Sequence, residues 1–273
     1  MSRHTFRSIQ ESGGVAWQKQ LRDRHQHEPA PDVDLSLKTA RVGPVAYDVA
    51  KQIIFKYEWL GTMGTATNRC YGLSFGPYVA GVTCWTPAGK ALPALAKSFG
   101  IENHELAYLV RGACVHWAPV GTNSKLIGYS LKLEAKRGSK LAIAFSDSDA
   151  GEIGTVYQAT NWTFVGKGDA WPQWVSPKGR LWSLNQQTDY ARRTGMTNKQ
   201  VEARLLADGW KRQTANPKGR YVFLLDPKDE RLAEMVEKRR QPYPKRGEKG
   251  SPGGTTTGEG GSIPTSPLPR VTT

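Results

Sequence analysis

Between Leu106 and Lys136 a strand-like run, LAYLVRGACVHW, passes through a loop of small residues, APVGTN, into a segment whose Leu126, Ile127, Leu131 and Leu133 form one apolar helical stripe. A strand feeding a helix in this way commits the chain to a sheet with helices on its faces, because each element has an apolar side to bury. The neighbouring segments agree. Leu35 to Val42 alternates as a half-buried strand does, and Pro44 then opens a stretch whose Val45, Val49, Ile53 and Tyr57 recur at helical spacing. CYGLSFG and YVAGVTCW are two β-rich runs separated by Gly76-Pro77, a hairpin signal. Leu141 to Phe145 reads as a short buried strand, Gly154 to Thr160 as a helical turn and Trp162 to Val165 as a last strand. The expected order is β-α-β-β-β-α-β-α-β, an α/β (α+β) chain with a mixed sheet flanked by helices.

The loop that opens the second main helix has a chemical consequence. Gly121, Thr122, Asn123 and Ser124 are small enough to let a ligand reach the backbone, and the free N–H groups and positive dipole end of a helix suit a pyrophosphate. Asn123 and Ser124 would add an amide and a hydroxyl donor, or else simply cap the helix. Arg111 lies inside an otherwise apolar strand, where a guanidinium is costly without an anion; a phosphate or Asp147 is the expected partner. Asp147 itself ends an apolar strand, where its carboxylate either points into a cleft or closes an Asx turn.

The formal charge is +14, which favours a polyanionic partner, and the excess is local: residues 166–249 carry 19 Lys and Arg against 10 Asp and Glu. Within that stretch TNKQVEARLLADGW places Thr197 and Gln200 at capping-box spacing, with a helix ending near Gly209 and Arg192, Arg193, Lys199, Arg204, Lys211 and Arg212 around it. These basic residues form either a DNA-backbone surface or a solvated basic face. Residues 1–35 read as a polar arm with a short helix near Val15 to Leu21, and residues 247–273 as a flexible tail, 20 of whose 27 positions are Gly, Pro, Ser or Thr. The expected division is thus an arm (1–35), a catalytic core (36–166), a basic extension packed on it (167–246) and a tail (247–273). No run approaches a membrane span, the start MSRHTFRSIQ lacks the apolar core of a signal peptide, and a cytoplasmic location is expected. Cys70, Cys84 and Cys114 lack zinc or redox spacing and read as buried thiols. No metal-ligand spacing is evident; His116 and Asp147 are the nearest approach to a pair, and no metal is assigned.

The element order resembles the acyl-CoA-dependent N-acetyltransferase (GNAT) superfold, and GTVYQATNW is similar to the pattern that ends that fold's last helix, with Tyr157 as the residue that protonates the departing thiolate. KYEWLGTMG, CYGLSFGPYVAGV and DSDAGEIGTVYQATNWTFVG, with GRYVFLLD and QPYPK later, resemble the Mom-type DNA-modification proteins of bacteriophages. That resemblance implies functional roles for Tyr57, Arg111, Ser124, Asp147 and Tyr157. Lys56 stands where the family typically has His, so it would act as a base only with a lowered pKa, and otherwise contacts a phosphate. The implied activity uses acetyl-CoA to build a carbamoylmethyl group on the N6 amine of adenine in double-stranded DNA, shielding phage DNA from the host's restriction enzymes in the bacterial cytoplasm. Such a base must be extruded into a pocket, for which Trp59 and Trp162 are candidate stacking walls. The alternatives are an N-acetyltransferase of the same fold acting on a small-molecule or protein amine, and a non-catalytic basic DNA-binding protein.

Overall fold

The computed structural model describes residues 6–64, 67, 69–87, 92–177, 179 and 181–245; the expected tail lies outside them. Residues up to Tyr243 form one compact unit. Its elements in chain order are α1 (Trp17–Asp23), β1 (Arg41–Pro44), α2 (Tyr47–Tyr57), β2 (Arg69–Phe75), β3 (Tyr78–Pro87), α3 (Pro93–Ser98), β4 (Leu106–Cys114), α4 (Thr122–Lys136), β5 (Leu141–Ser146), α5 (Thr155–Ala159) and β6 (Thr163–Lys167). Then follow β7 (Pro172–Val175), β8 (Leu181–Ser183), α6 (Leu184–Thr194), α7 (Asn198–Ala207), β9 (Lys211–Thr214), β10 (Gly219–Leu224) and α8 (Glu230–Glu237).

A seven-stranded mixed sheet runs β1-β2-β3-β4-β5-β10-β6, the GNAT-like class that the resemblance implies. Its core falls into two buried clusters. Tyr71, Leu73, Val82, Ala142, Ala144 and Tyr221 of the sheet pack with Ile54, Leu126 and Trp162 in one, whereas Leu141, Ile143 and Val222 pack with Phe99, Leu232 and Val236 in the other. Burying a leucine or phenylalanine fully in either is worth about 2 kcal/mol.

Several expectations need revision. The strand foreseen at Leu35 to Val42 begins only at Arg41, because Asp34 turns the chain: its carboxylate accepts from Ser36 N at 2.9 Å and from Thr39 Oγ1 at 2.9 Å. Helix α3 was not foreseen, and α4 starts at Thr122 rather than Ser124. The core sheet is also not completed by residues 36–166: β10 is inserted between β5 and β6, pairing antiparallel with both. The basic stretch therefore supplies a central strand, and residues 168–218 form a small lobe looped out between β6 and β10. That lobe has its own three-stranded sheet, β8-β7-β9, and its own core of Trp174, Trp182, Ala191, Val201 and Leu205. The arm is packed as well. Leu21 is completely buried, and Gln18 clamps the end of α2 by donating to Tyr57 O and accepting from Trp59 N.

Candidate active site

β4 and β5 run parallel but pair over only three residues, Leu106–Tyr108 against Leu141–Ile143. Beyond them β4 stays with β3 as far as Cys114, and β5 stays with β10 as far as Ser146. The two strands part, and a wedge opens into which the chain ends of several elements converge. Arg111 comes from β4, Asp147 from the end of β5, Glu58 and Trp59 from the end of α2, and Glu152 from the loop before α5, which carries Tyr157. Gly154 sets the start of α5: its φ is +71°, and a Cβ there would stand 2.4 Å from the Tyr221 ring, so only glycine lets the turn pack so close.

The side chains form one connected cluster. Trp59 Nε1 donates to Glu152 Oε1 at 3.1 Å, and Asp147 N lies 3.5 Å from Glu152 Oε2. Arg111 donates to Thr62 O at 2.8 Å and Val110 O at 2.7 Å, and its Nε is 3.9 Å from Glu58 Oε2. Tyr157 packs against Trp162 and Tyr221 with centroids 5.3 and 5.2 Å away, and its hydroxyl makes no hydrogen bond among the described residues. Burial, then the charge of Glu152, Tyr108 and Glu58, pushes the Tyr157 phenol well above the ordinary tyrosine range. Glu152 thus lies beside the Asp147 backbone and near enough to Tyr157 for its charge to act on the phenol.

Several sequence expectations change here. Both Asp147 oxygens are engaged, Oδ1 by Asp149 N at 3.0 Å in an Asx turn and Oδ2 by Lys218 Nζ at 2.9 Å. Arg111 pairs with Glu58 and the Thr62 backbone, not with Asp147. Lys56 is bound to Glu28 at 2.5 Å, which raises its pKa and keeps it cationic, the opposite of what a base needs. Tyr57 is buried under the arm, its hydroxyl 3.0 Å from His116 Nδ1, whose other nitrogen meets Glu28 O at 3.0 Å. His116 therefore turns toward the arm and away from any pairing with Asp147, and among the described residues no three His, Cys, Asp or Glu gather as metal ligands. Trp162 is wholly buried in the core and cannot stack on an incoming base, whereas Trp59 is half-buried at the rim, edge-on to Trp17 at 5.2 Å.

Two residues that sequence reasoning passed over are Glu58 and Glu152, although both lie inside the blocks KYEWLGTMG and DSDAGEIG. Burial is the main cause that raises each to about 7, and for Glu58 the Arg111 charge opposes it. Glu58 is 6% exposed, and its folded pKa lies above the ordinary 4.5, so the folded state binds the extra proton between these values. Stability from this group is full below about 4.5 and is lost as pH rises through about 7, by about 3 kcal/mol at most. Thermal melts should therefore fall between pH 5 and pH 8, and Glu58→Gln should flatten that slope; equal slopes for parent and variant would refute the assignment.

α4 begins after the end of β4 that parts from β5, and it packs against α5. Neither Asn123 nor Ser124 caps this helix. Gly121 is its N-cap at φ +91°, with no side-chain cap, and the amides of Asn123 and Ser124 make no hydrogen bond among the described residues. Thr122 Oγ1 is turned back onto Pro119 O at 2.7 Å, and Lys125 is tied to the carbonyls of Leu37 and Ala40. Two open N–H groups behind a glycine turn remain, which fits an anion such as a pyrophosphate.

The basic residues expected to meet DNA all belong to the lobe. Arg192, Arg193, Lys199, Lys211 and Arg212 are exposed; Arg192 is 3.0 Å from Asp189 and Arg212 is 3.6 Å from Glu202. The foot of the lobe is fastened to the wedge by Lys218 on Asp147 and by Asn216 N on Asp149 Oδ2 at 3.2 Å.

Residues 39–245 match the model of the Mom protein family. No curated protein matches the chain. Among solved structures it is similar to the ribosomal-protein-S18-alanine N-acetyltransferase of Escherichia coli, with 8% identity, TM-score 0.38, and 68% of this chain and 94% of that one covered. It is also similar to an N-acetyltransferase of Staphylococcus aureus, with 10% identity, TM-score 0.40 and coverages of 68% and 99%. A Bacillus subtilis acetyltransferase in complex with CoA shows 10% identity, TM-score 0.37 and coverages of 68% and 97%. Among the described residues no helix is long and apolar enough to cross a membrane.

Proposed function

The chain belongs to the Mom protein family, and from that premise we propose that it is an acyl-CoA-dependent transferase that modifies the N6 amine of adenine in double-stranded DNA, giving the carbamoylmethyl-type product that shields phage DNA from restriction. The observation that carries this reading is the pairing of an unpartnered, proton-retaining Tyr157 hydroxyl with an uncapped α4 N-terminus beside one wedge.

Acetyl-CoA, when bound, supplies an activated two-carbon unit and a thiolate leaving group. The amides of Asn123 and Ser124 and the turn at Gly121 and Thr122 would hold its pyrophosphate, and Arg111 would add positive charge. Tyr157 keeps its proton at neutral pH and delivers it to the departing sulfur. Asp147 and Glu152 line the side from which an amine would enter, with Glu152 close enough to neutrality to take up a proton. Tyr57 acts from beneath by fixing His116 and the end of α2, and Lys56 anchors the arm through Glu28. A carbamoylmethyl product is joined through the methyl carbon and carries an amide nitrogen, so acetyl-CoA alone does not balance it: both a nitrogen-bearing co-reactant and a two-electron oxidant, to turn the methyl C–H into C–N, are required. On the DNA side the adenine is everted toward Trp59 while Arg192, Arg193, Lys211 and Arg212 neutralise backbone phosphates and Lys199 meets the same duplex.

The test is to digest DNA from cells expressing the protein and weigh its nucleosides. The parent should yield a new adenine adduct, and Asp147→Ala should lose it by a hundredfold or so, as general acid–base groups do. Unmodified adenine under active expression of the parent overturns the reading. Acetylation of free amines, unaffected by added DNA, would instead support the small-molecule or protein N-acetyltransferase.

A further inference from the structure

We infer that the lobe looped out between β6 and β10 is a helix–turn–helix unit that lays α7 in the major groove of duplex DNA and so selects which adenines reach the wedge; this rests on the DNA reading above.

The two helices are joined by only three residues, Gly195, Met196 and Thr197. Gly195 ends α6 in the left-handed region at φ +68°, and Thr197 starts α7 with a capping box completed by Gln200. The helices can pack closely because the fully apolar α6 side chain buried in the lobe's core is the small Ala191, 5% exposed, against which α7 buries Val201 and Leu205. Gln187 then locks the pair: buried itself, it accepts from Trp174 Nε1 at 2.8 Å and donates to Asn198 O, at the first residue of α7, at 3.0 Å. A short turn, a small residue at the crossing and a hydrogen-bonded brace hold the second helix rigidly, as a groove-reading helix requires.

What α7 turns outward fits that partner. Val201 and Leu205 face the core, so the opposite side of the helix carries Lys199 and Ala203, four residues apart, with Gln200 and Leu206 beside them, all exposed. Ala203 at the centre of this face gives no bulk to prevent close approach, and a methyl there can meet a thymine methyl while Lys199 reaches a purine edge. Strand β9, exposed along its whole length, flanks the helix with Lys211 and Arg212, and the end of α6 presents Arg192 and Arg193. Groove-facing centre and cationic edges are the division of labour expected when base contacts specify and phosphate contacts position. The lobe is tied by Lys218 and Asn216 to the very loop that carries Asp147 and Asp149, so a duplex held by α7 is held in register with the wedge.

The full-length parent, Ala203→Glu and Lys199→Ala are compared in two measurements: anisotropy of a labelled duplex at fixed salt, and mapping of adducted adenines on plasmid DNA by sequence context. Both sites are exposed, and melting curves unchanged from the parent exclude misfolding. Ala203→Glu is expected to weaken duplex binding by about tenfold or more, and Lys199→Ala to broaden the set of contexts modified. Adducts on the same adenines with unchanged affinity in both variants overturn the inference while leaving the adenine reading intact. Duplex binding that depends on Ala203 and Lys199, with no adduct from the parent, supports the inference and overturns the adenine reading.

Discussion

Tyr157→Phe is expected to lower adduct formation by about a hundredfold to ten-thousandfold, with a melting temperature close to that of the parent. The two halves of that expectation come from the same geometry. The ring packs on Trp162 and Tyr221, contacts that phenylalanine keeps, and the hydroxyl has no hydrogen-bond partner among the described residues, so its removal strands nothing. What the variant loses is a proton donor that burial and the charge of Glu152, Tyr108 and Glu58 hold in its neutral form at working pH. Because the bond to the leaving sulfur is broken only in the transition state, kcat and kcat/KM should fall together while the affinity for acetyl-CoA stays near that of the parent. A variant that turns over within twofold of the parent would remove Tyr157 from the chemistry and leave it as packing for Trp162.

The parts of this site differ in how far local sequence exposes them. The β2–β3 hairpin follows from its alternating runs around Gly76-Pro77, and the capping box at Thr197 and Gln200 falls where its spacing places it, because in both cases the interacting residues are neighbours in sequence. The insertion of β10 between β5 and β6 is of another kind. GRYVFL has the composition of a strand, but its partners lie more than fifty residues away, and no local pattern encodes which edge it fills. The same holds for the pairs that shape the wedge. Glu58 and Glu152 look like ordinary surface acids until the fold buries the first beside Arg111 and half-buries the second beside Trp59. Lys56 beside Tyr57 invites a catalytic reading that only the folded arm, with Glu28, overturns. At the start of α4 the local rule gives the wrong cap: Asn123 and Ser124 are preferred N-cap residues, yet Gly121 takes the position and leaves their amides open. A local preference overridden at the place where a ligand would bind is what a functional site is expected to show.

The largest loss of stability should come from a pair far from the wedge, Arg69 and Glu134. Glu134 is completely buried in the last turn of α4, where the negative end of the helix dipole already disfavours a carboxylate. It is held there by Arg69, whose Nε donates to Oε1 at 2.9 Å and whose Nη2 stands 2.7 Å from Oε2, and by the Tyr71 hydroxyl at 2.7 Å. Burial and the neighbouring carboxylate push the Tyr71 phenol up to about 12, so it stays a donor, with Arg137 Nε donating to it in turn at 3.2 Å. Arg69→Met removes the one cation bonded to Glu134 among the described residues and leaves a completely buried carboxylate unpaired, at a cost of about 3–5 kcal/mol. In a unit of this size that is a drop of roughly 10 °C in melting temperature. Glu134→Gln keeps the Tyr71 contact and loses only the charge, so it should cost less. Replacing both residues with well-packed apolar ones should recover most of the loss, since the penalty lies in the unpaired charge rather than in the absence of the pair. An Arg69→Met protein that melts with the parent would mean that this pair does not carry the stability assigned to it.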